Sequence, residues 1–384
     1  MTENSDQRIP VTVLTGFLGS GKTTLLNRLM KADLARRTLV IINEFGSISL
    51  DHDLVTYSED EGQVVRLENG CLCCTIRGDL TKALREAPWR YAREGERWFD
   101  DVVIETTGLA DPVPIIQTLL SEPAVAKRYQ LRQIITVFDS VNGAATLARQ
   151  PEAVKQVAVA DALVVSKTDL VSAEAHQDVI QTVRAINPAI ELFSHVEDEP
   201  ELAVLFQASR FSPALKGEAL EAWLAEDLHD HDHDHDHGHD HGHHHAHDHE
   251  QDHHDHDRNR HSSRIRSVCL RFPEPKSAKV YEAWLDRLTQ LRGSDMLRVK
   301  GILNVTELDV PMVIHGVQHI WHEPEIMADW PSDDRSSRIV FILRDLEKSD
   351  LLASLAVITG DSAAAELQGL TQDELYQVRQ RSSA

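Results

Sequence analysis

The chain has 384 residues, enough for two cored domains, and its hydrophobic share of 41% is that of a globular protein. Its formal charge of −23 argues against nucleic acid as a partner, because phosphate binding needs a basic face. The polar start "MTENSDQRIP" lacks a signal-peptide core, and no run reaches the ~18 apolar residues of a membrane helix, so a soluble cytoplasmic protein with no membrane partner is expected.

From residue 9 to 195, short β-branched runs alternate with amphipathic stretches. The runs are "VTVLTG" (11–16), "TLVIIN" (38–43), "DVVIET" (101–106), "IITVFD" (134–139) and "ALVVSK" (162–167), apolar throughout as strands buried on both faces would be. Helical stretches are predicted at 22–32, 79–87 and 174–186, which implies an α/β fold with a mostly parallel sheet covered by helices.

The first strand runs into "GFLGSGKTT", which matches G-x-x-x-x-G-K-[ST] through Gly16, Gly21, Lys22 and Thr23. A strand before the loop and a helix after it are the context a phosphate loop needs. Backbone N–H groups of Gly19, Ser20, Gly21, Lys22, Thr23 and Thr24 would wrap the phosphates, helped by the helix N-terminus. Lys22 would reach the β- and γ-phosphates, and the Thr23 hydroxyl would hold Mg²⁺. The plain alternative is a glycine-rich turn.

Next comes "LENGCLCCTIRGDL", residues 67–80. It holds Cys71, Cys73 and Cys74, three of only four cysteines in the chain. That pattern is no disulfide framework, and in a reducing cytosol these are thiols. Thiolates are soft ligands that suit Zn²⁺ and also Co²⁺. In an extended segment Cys71 and Cys73 would share one face and Cys74 the other. No second cysteine pair closes a four-thiolate structural site, and an incomplete site suits a metal that must be released. Buried small residues or a redox pair remain open readings.

Glu105 ends the third run, where a carboxylate can reach Mg²⁺ through water. "TTG" follows, and Gly108 is placed to sense a γ-phosphate; a strand-capping acid is the plain alternative. In "SKTDL" (166–170), the Asp169 carboxylate can accept from guanine N1–H and its 2-amine, a donor pair that adenine lacks. The Lys167 stem can pack on the base. Ser166 stands where the motif usually has Asn. A surface turn is the plain alternative here.

Regularity ends near residue 205. Residues 229–261 carry sixteen of the 22 histidines and a net charge of −8. With no apolar face, this His/Asp-rich segment is expected to be a disordered tether offering many weak metal sites, or simply a spacer. From 264 the pattern resumes with "RIRSVCLRF", a helix over 277–291, "LRVKGILNV", "PMVIHGVQHIWH", "SRIVFIL" and a last helix near 348–358. These elements predict a small α+β domain. The expected organisation is therefore a nucleotide-binding domain over 1–205, a linker over 206–263 and a second domain over 264–384. Cys269 reads as a core thiol. His315, His319 and His322 read as ordinary strand residues or as a metal group.

Phosphate loop, "NEFGSISLDHDLV", "GCLCCTIRGDL", "ETTGLADP" and "SKTDL" stand in the order of the G3E GTPases. More narrowly, the chain resembles the CobW family of metal-handling P-loop GTPases over residues 10 to about 195. Its "RVKGIL" and "HGVQHIW" are similar to the CobW C-terminal domain. The resemblance implies that Lys22 and Glu105 serve GTP hydrolysis and that Cys71, Cys73 and Cys74 bind the transported metal. It implies GTP, Mg²⁺ and Zn²⁺ or Co²⁺ as ligands and a metal-requiring client protein as partner, with a homodimer left open. Two departures stand out. Glu44 is present but Ser47 replaces a glutamate in the first switch, and Ser166 replaces Asn. Cobalt delivery for cobalamin synthesis, activation of a nitrile hydratase, and a metal buffer or sensor with a regulatory GTPase remain as alternatives.

Overall fold

A computed structural model describes residues 8–43, 64–67, 72–207 and 265–354, apart from 195, 197, 331, 332, 347, 348 and 353. Glu44, Ser47, Cys71 and the histidine run 229–261 lie outside the described residues. The first domain is built on β1 (Ile9–Thr15), β2 (Thr38–Asn43), β3 (Val64–Leu67), β6 (Asp101–Thr106), β7 (Tyr129–Asp139), β8 (Ala162–Ser166) and β9 (Glu191–Phe193). A minor hairpin, β4 (Ala92–Arg93) with β5 (Glu96–Arg97), precedes β6. The seven strands lie in the order β3-β2-β6-β1-β7-β8-β9, and every pairing is parallel. Valine and isoleucine fill the central strands because both faces are covered by helices. These are α1 (Lys22–Lys31), α2 (Leu72–Arg90), α3 (Val113–Ser121), α4 (Pro123–Ala126), α5 (Gly143–Arg149), α6 (Pro151–Val159), α7 (Ala173–Ile186) and α8 (Glu199–Gln207). Helix α7 shows the local logic. Ser172 caps it by accepting from the Ala175 N–H at 3.3 Å, and Val179, Val183 and Ile186 fall on one buried stripe.

The second domain is an antiparallel sheet of β10 (Ile265–Phe272), β15 (Ser337–Arg344), β11 (Met296–Leu303), β12 (Met312–Val317) and β13 (Ile320–Trp321), with β14 (Glu325–Ile326) on β12. Helix α9 (Ala278–Arg292) covers one face. There Trp284 is fully buried, edge-on to Phe272 and Phe341. Cys269 is buried in β10 opposite Val340.

Every residue of β11 is buried. A sheet with one covered face would alternate, so the other face must be covered too. The first domain covers it: Leu297 and Ile342 join Phe138, Val157 and Ala158 in one apolar cluster. This contact also buries charge. Arg298 and Lys300 of β11 both reach Asp161, the latter at 2.9 Å, while Asp161 Oδ2 accepts from the Ile134 N–H at 2.9 Å. Burial alone would raise the Asp161 pKa, but the two cations hold its carboxyl well below the usual carboxylate range.

His315 sits at the edge of this cluster, 5% exposed, with its ring 6.1 Å from that of His322. Burial, then Lys300 and Arg298, push its pKa well below the ordinary value. The sign follows. The unfolded chain takes up a proton near pH ~6.5 and the folded chain resists it. Stability is therefore complete above that pH and falls below it, by at most about 1.4 kcal/mol per pH unit for this one group. Melting curves between pH 7.5 and 5.5 are expected to show this slope, and His315→Gln to flatten it. An unchanged slope in the variant would place the acid sensitivity elsewhere.

Candidate nucleotide and metal site

In a parallel sheet, ligands bind at the carboxyl ends of the strands, where the chain leaves β1 for both sides. Strand β1 lies between β6 and β7, and the predicted site residues follow β1, β6 and β8 at that edge. The loop 16–21 turns there with Gly16, Gly19 and Gly21 at φ 139°, 71° and 100°. At Gly16 a Cβ would stand 2.3 Å from the Val137 carbonyl oxygen, so only glycine fits. Gly21 then opens α1.

Lys22 is buried, and its Nζ donates to the carbonyls of Gly16 at 2.8 Å and Phe17 at 3.1 Å. The ammonium thus lies across the loop it belongs to. Thr23 Oγ1 donates to Glu105 Oε1 at 3.2 Å, which joins the head of α1 to the end of β6. Glu105 is 6% exposed. The Ser20 hydroxyl is buried without a hydrogen-bond partner among the described residues. Thr24 and Gly19 are exposed. A glycine cradle, a hydroxyl beside a carboxylate and a lysine at the mouth form the donor set that a nucleoside triphosphate with Mg²⁺ requires.

Gly108 comes against the same loop from β6. A Cβ there would stand 2.5 Å from the Leu18 nitrogen and 2.7 Å from its Cα. Backbone therefore meets backbone, and the segment 107–112 cannot move without the phosphate loop registering it.

At the end of β8, Ser166 Oγ lies 2.6 Å from the Ser20 carbonyl oxygen and 3.2 Å from that of Phe138. The hydroxyl that replaces the usual Asn is thus spent on fixing the phosphate loop. Lys167 is left-handed at φ 57°, with its Nζ on Asp139 Oδ2 at 2.7 Å. Burial works against the Asp139 charge, but Lys167, Asn142 and the Val141 N–H hold its carboxyl below the ordinary carboxylate range. Asp169 is exposed on a short 3-10 turn, Thr168–Leu170. Asp139 was missed from sequence, although it ends a buried apolar run just as Glu105 does.

The cysteine segment differs from the extended reading. Helix α2 begins at Leu72, so Cys73 and Cys74 lie in its first turn, about 100° apart on the helix. Local helix propensity and the anchoring of Leu80, Leu84 and Ala87 in the core carry the helix further back than 79–87. Strand β3, not foreseen, ends at Leu67 beside Asn43 of β2. The motif therefore follows the same sheet edge as the phosphate loop. Of the three C-terminal histidines, His315 and His322 stand with their rings 6.1 Å apart, whereas His319 is exposed. Among the described residues no group of three His, Cys, Asp or Glu is placed to hold a metal ion.

The comparisons agree with this geometry. The CobW/HypB/UreG nucleotide-binding domain matches residues 10–194, and the cobalamin synthesis protein CobW C-terminal domain matches 265–359. Zinc chaperone CobW of Pseudomonas aeruginosa is 32% identical, covering 91% of this chain and 91% of its own. Zinc chaperone YjiA of Escherichia coli is 29% identical over 91% of this chain and 98% of its own. The crystal structure of Zn(II)-bound YjiA GTPase from E. coli has the same fold, at a TM-score of 0.62 and 24% identity over 91% of this chain and 99% of that one. The phosphate loop, the strand-end acids and the appended antiparallel sheet thus have one common source, and the chain belongs to the CobW family of nucleotide-binding proteins.

Proposed function

We propose that this chain is a cytoplasmic GTP-hydrolysing metallochaperone that takes Zn²⁺ at Cys71, Cys73 and Cys74 and passes it to a client protein when GTP is cleaved. The observation that carries this reading is the shared sheet edge, with the phosphate loop after β1, Gly108 after β6 and the cysteine segment after β3. The names of the full-length relatives support zinc over cobalt.

In this reading the loop amides and Lys22 bind the triphosphate, and the lysine charge offsets the negative charge that builds on the leaving oxygens. Asp169 reads the guanine edge, and Lys167, steered by Asp139, lays its stem on the base. Thr23 and Glu105 would hold Mg²⁺, which when bound would supply positive charge beside the phosphates. The Gly108 amide meets the γ-phosphate. Because Gly108 touches Leu18, loss of that phosphate frees the segment after β6. The cysteine segment, which follows β3 in the same sheet, is the part that would respond. Metal affinity and GTP affinity are then coupled, each raising the other by one factor. The histidine run would capture metal weakly and feed the cysteines.

Competition titration of Zn²⁺ and Co²⁺, with Mg²⁺ and either GDP or a non-hydrolysable GTP analogue, tests this directly. Affinity is expected to rise with the analogue, and Zn²⁺ to be preferred. Cys73→Ser should lower the analogue-dependent metal affinity at least tenfold while GTP binding stays intact. Equal affinity with both nucleotides would replace delivery with buffering.

A further inference from the structure

Something must hold the segment 107–112 against the phosphate loop, and the contact comes from helix α6. Gln156 is 1% exposed, and its Nε2 donates to the carbonyls of Gly108 at 3.3 Å and Ala110 at 3.0 Å. One amide thus uses both of its hydrogens on one turn of that segment. The preceding residue, Lys155, pairs with Asp111 at 2.8 Å, and Asp111 in turn accepts from the Val113 N–H at 3.0 Å. Two successive residues of α6 therefore fix successive parts of the loop. The Gln156 carbonyl is itself pinned by Thr136 Oγ1 of β7 at 2.8 Å.

The far end of α6 belongs to the other domain. Arg298 Nη1 donates to the Val159 carbonyl at 2.9 Å, taking one of the acceptors that a helix C-terminus leaves open. Val157 and Ala158 pack with Leu297 and Ile342. Asn187 Nδ2 satisfies the carbonyls of Val157 and Ala160 at 3.0 and 2.9 Å. A helix of nine residues is about 13 Å long. Fixed at its C-terminal turn, it has little freedom to shift at Gln156 without breaking these bonds.

We infer that Gln156 is a positioning residue for GTP hydrolysis, and that α6 passes the seating of the C-terminal sheet to the segment 107–112. This rests on the reading above that Gly108 meets the γ-phosphate. The Ala110 amide closes the turn on the Thr107 carbonyl at 3.1 Å, and with the Gly108 carbonyl facing Gln156 it is the Gly108 amide that is left to turn toward the phosphate. Misplacing a positioning group by about 1 Å costs up to ~10²-fold in rate. A change in how the second domain sits, by metal or client, would then appear in the hydrolysis rate.

The test compares steady-state GTP hydrolysis, GDP affinity and melting temperature in full-length variants. Gln156→Met keeps the shape and the helix propensity but removes both donors. It should lower kcat at least tenfold while KM and GDP affinity stay within twofold. A merely structural glutamine would lower the melting temperature and leave kcat alone, which would overturn the proposal. Arg298→Met should lower kcat about threefold, and combining it with Gln156→Met should add nothing further. Additive losses would overturn the link through α6. If Arg298→Met does not fold, Lys155→Met reads the same loop from a partly exposed position and should lower kcat about twofold; no loss there would count against the link. Gly108→Ala separates the two readings. A large kcat loss in Gly108→Ala with none in Gln156→Met removes this inference and keeps the γ-phosphate reading. No loss in Gly108→Ala removes that reading itself.

Discussion

Replacing Asp161 with asparagine should lower the melting temperature by on the order of 10 °C. The substitution keeps the shape of the side chain and an acceptor for the Ile134 N–H, so it isolates the charge. Arg298 then loses its buried counter-ion and Lys300 keeps only the Glu191 charge, and breaking such a buried pair costs about 3–5 kcal/mol. At roughly 2–4 °C per kcal/mol for a domain of this size, the shift is far outside experimental error. The triple variant Asp161→Asn, Arg298→Met, Lys300→Met removes all three charges and should recover most of the loss. Thermal melting of the single and triple variants decides the matter. If the single variant melts with the parent, the charge cluster does not hold the domains together.

The second large effect is on catalysis. Lys22→Ala should reduce kcat for GTP by about 10²–10³-fold, the cost of removing one preorganised charge from a developing oxyanion. The Gly16 and Phe17 carbonyls already hold the Lys22 ammonium against the phosphate loop. Lys22→Arg should not rescue activity, because a planar guanidinium cannot reproduce the compact point charge that donates to both carbonyls. Phosphate release at saturating GTP measures the loss, and an unchanged melting temperature shows that folding is intact. A kcat within threefold of the parent would remove Lys22 from the site.

Much of the first domain could be read from the sequence because its strands are buried on both faces. Runs such as "DVVIET" are unbroken, and the residues at their carboxyl ends, Gly16, Glu105 and Ser166, then fall at one sheet edge. What escaped the sequence was of another kind. Strand β3 carries Arg66 in a run of only four residues, too short and too mixed to stand out. Ser166 stood out only as a departure from the usual Asn, whereas its hydroxyl reaches back to Ser20 across 146 positions. Asp161, Arg298 and Lys300 carry no motif of their own, and only the packing of one sheet against the other domain buries them. Contacts that depend on such distant positions leave no local periodicity. For the same reason Gln156, in an ordinary amphipathic helix, gave no signal of its own.

The charge cluster has a consequence during synthesis. Arg298 follows Asp161 by 137 positions. At about 5–20 residues per second, the ribosome needs on the order of ten seconds to supply the cation after the anion. Until then the nascent first domain carries an uncovered apolar patch at Phe138, Val157 and Ala158. The last turn of α6 has no guanidinium on Val159 for the same interval. If α6 positions the segment 107–112 as inferred above, hydrolysis would reach its full rate only once the C-terminal sheet has been made, so an unfinished chain would spend GTP more slowly than the finished one.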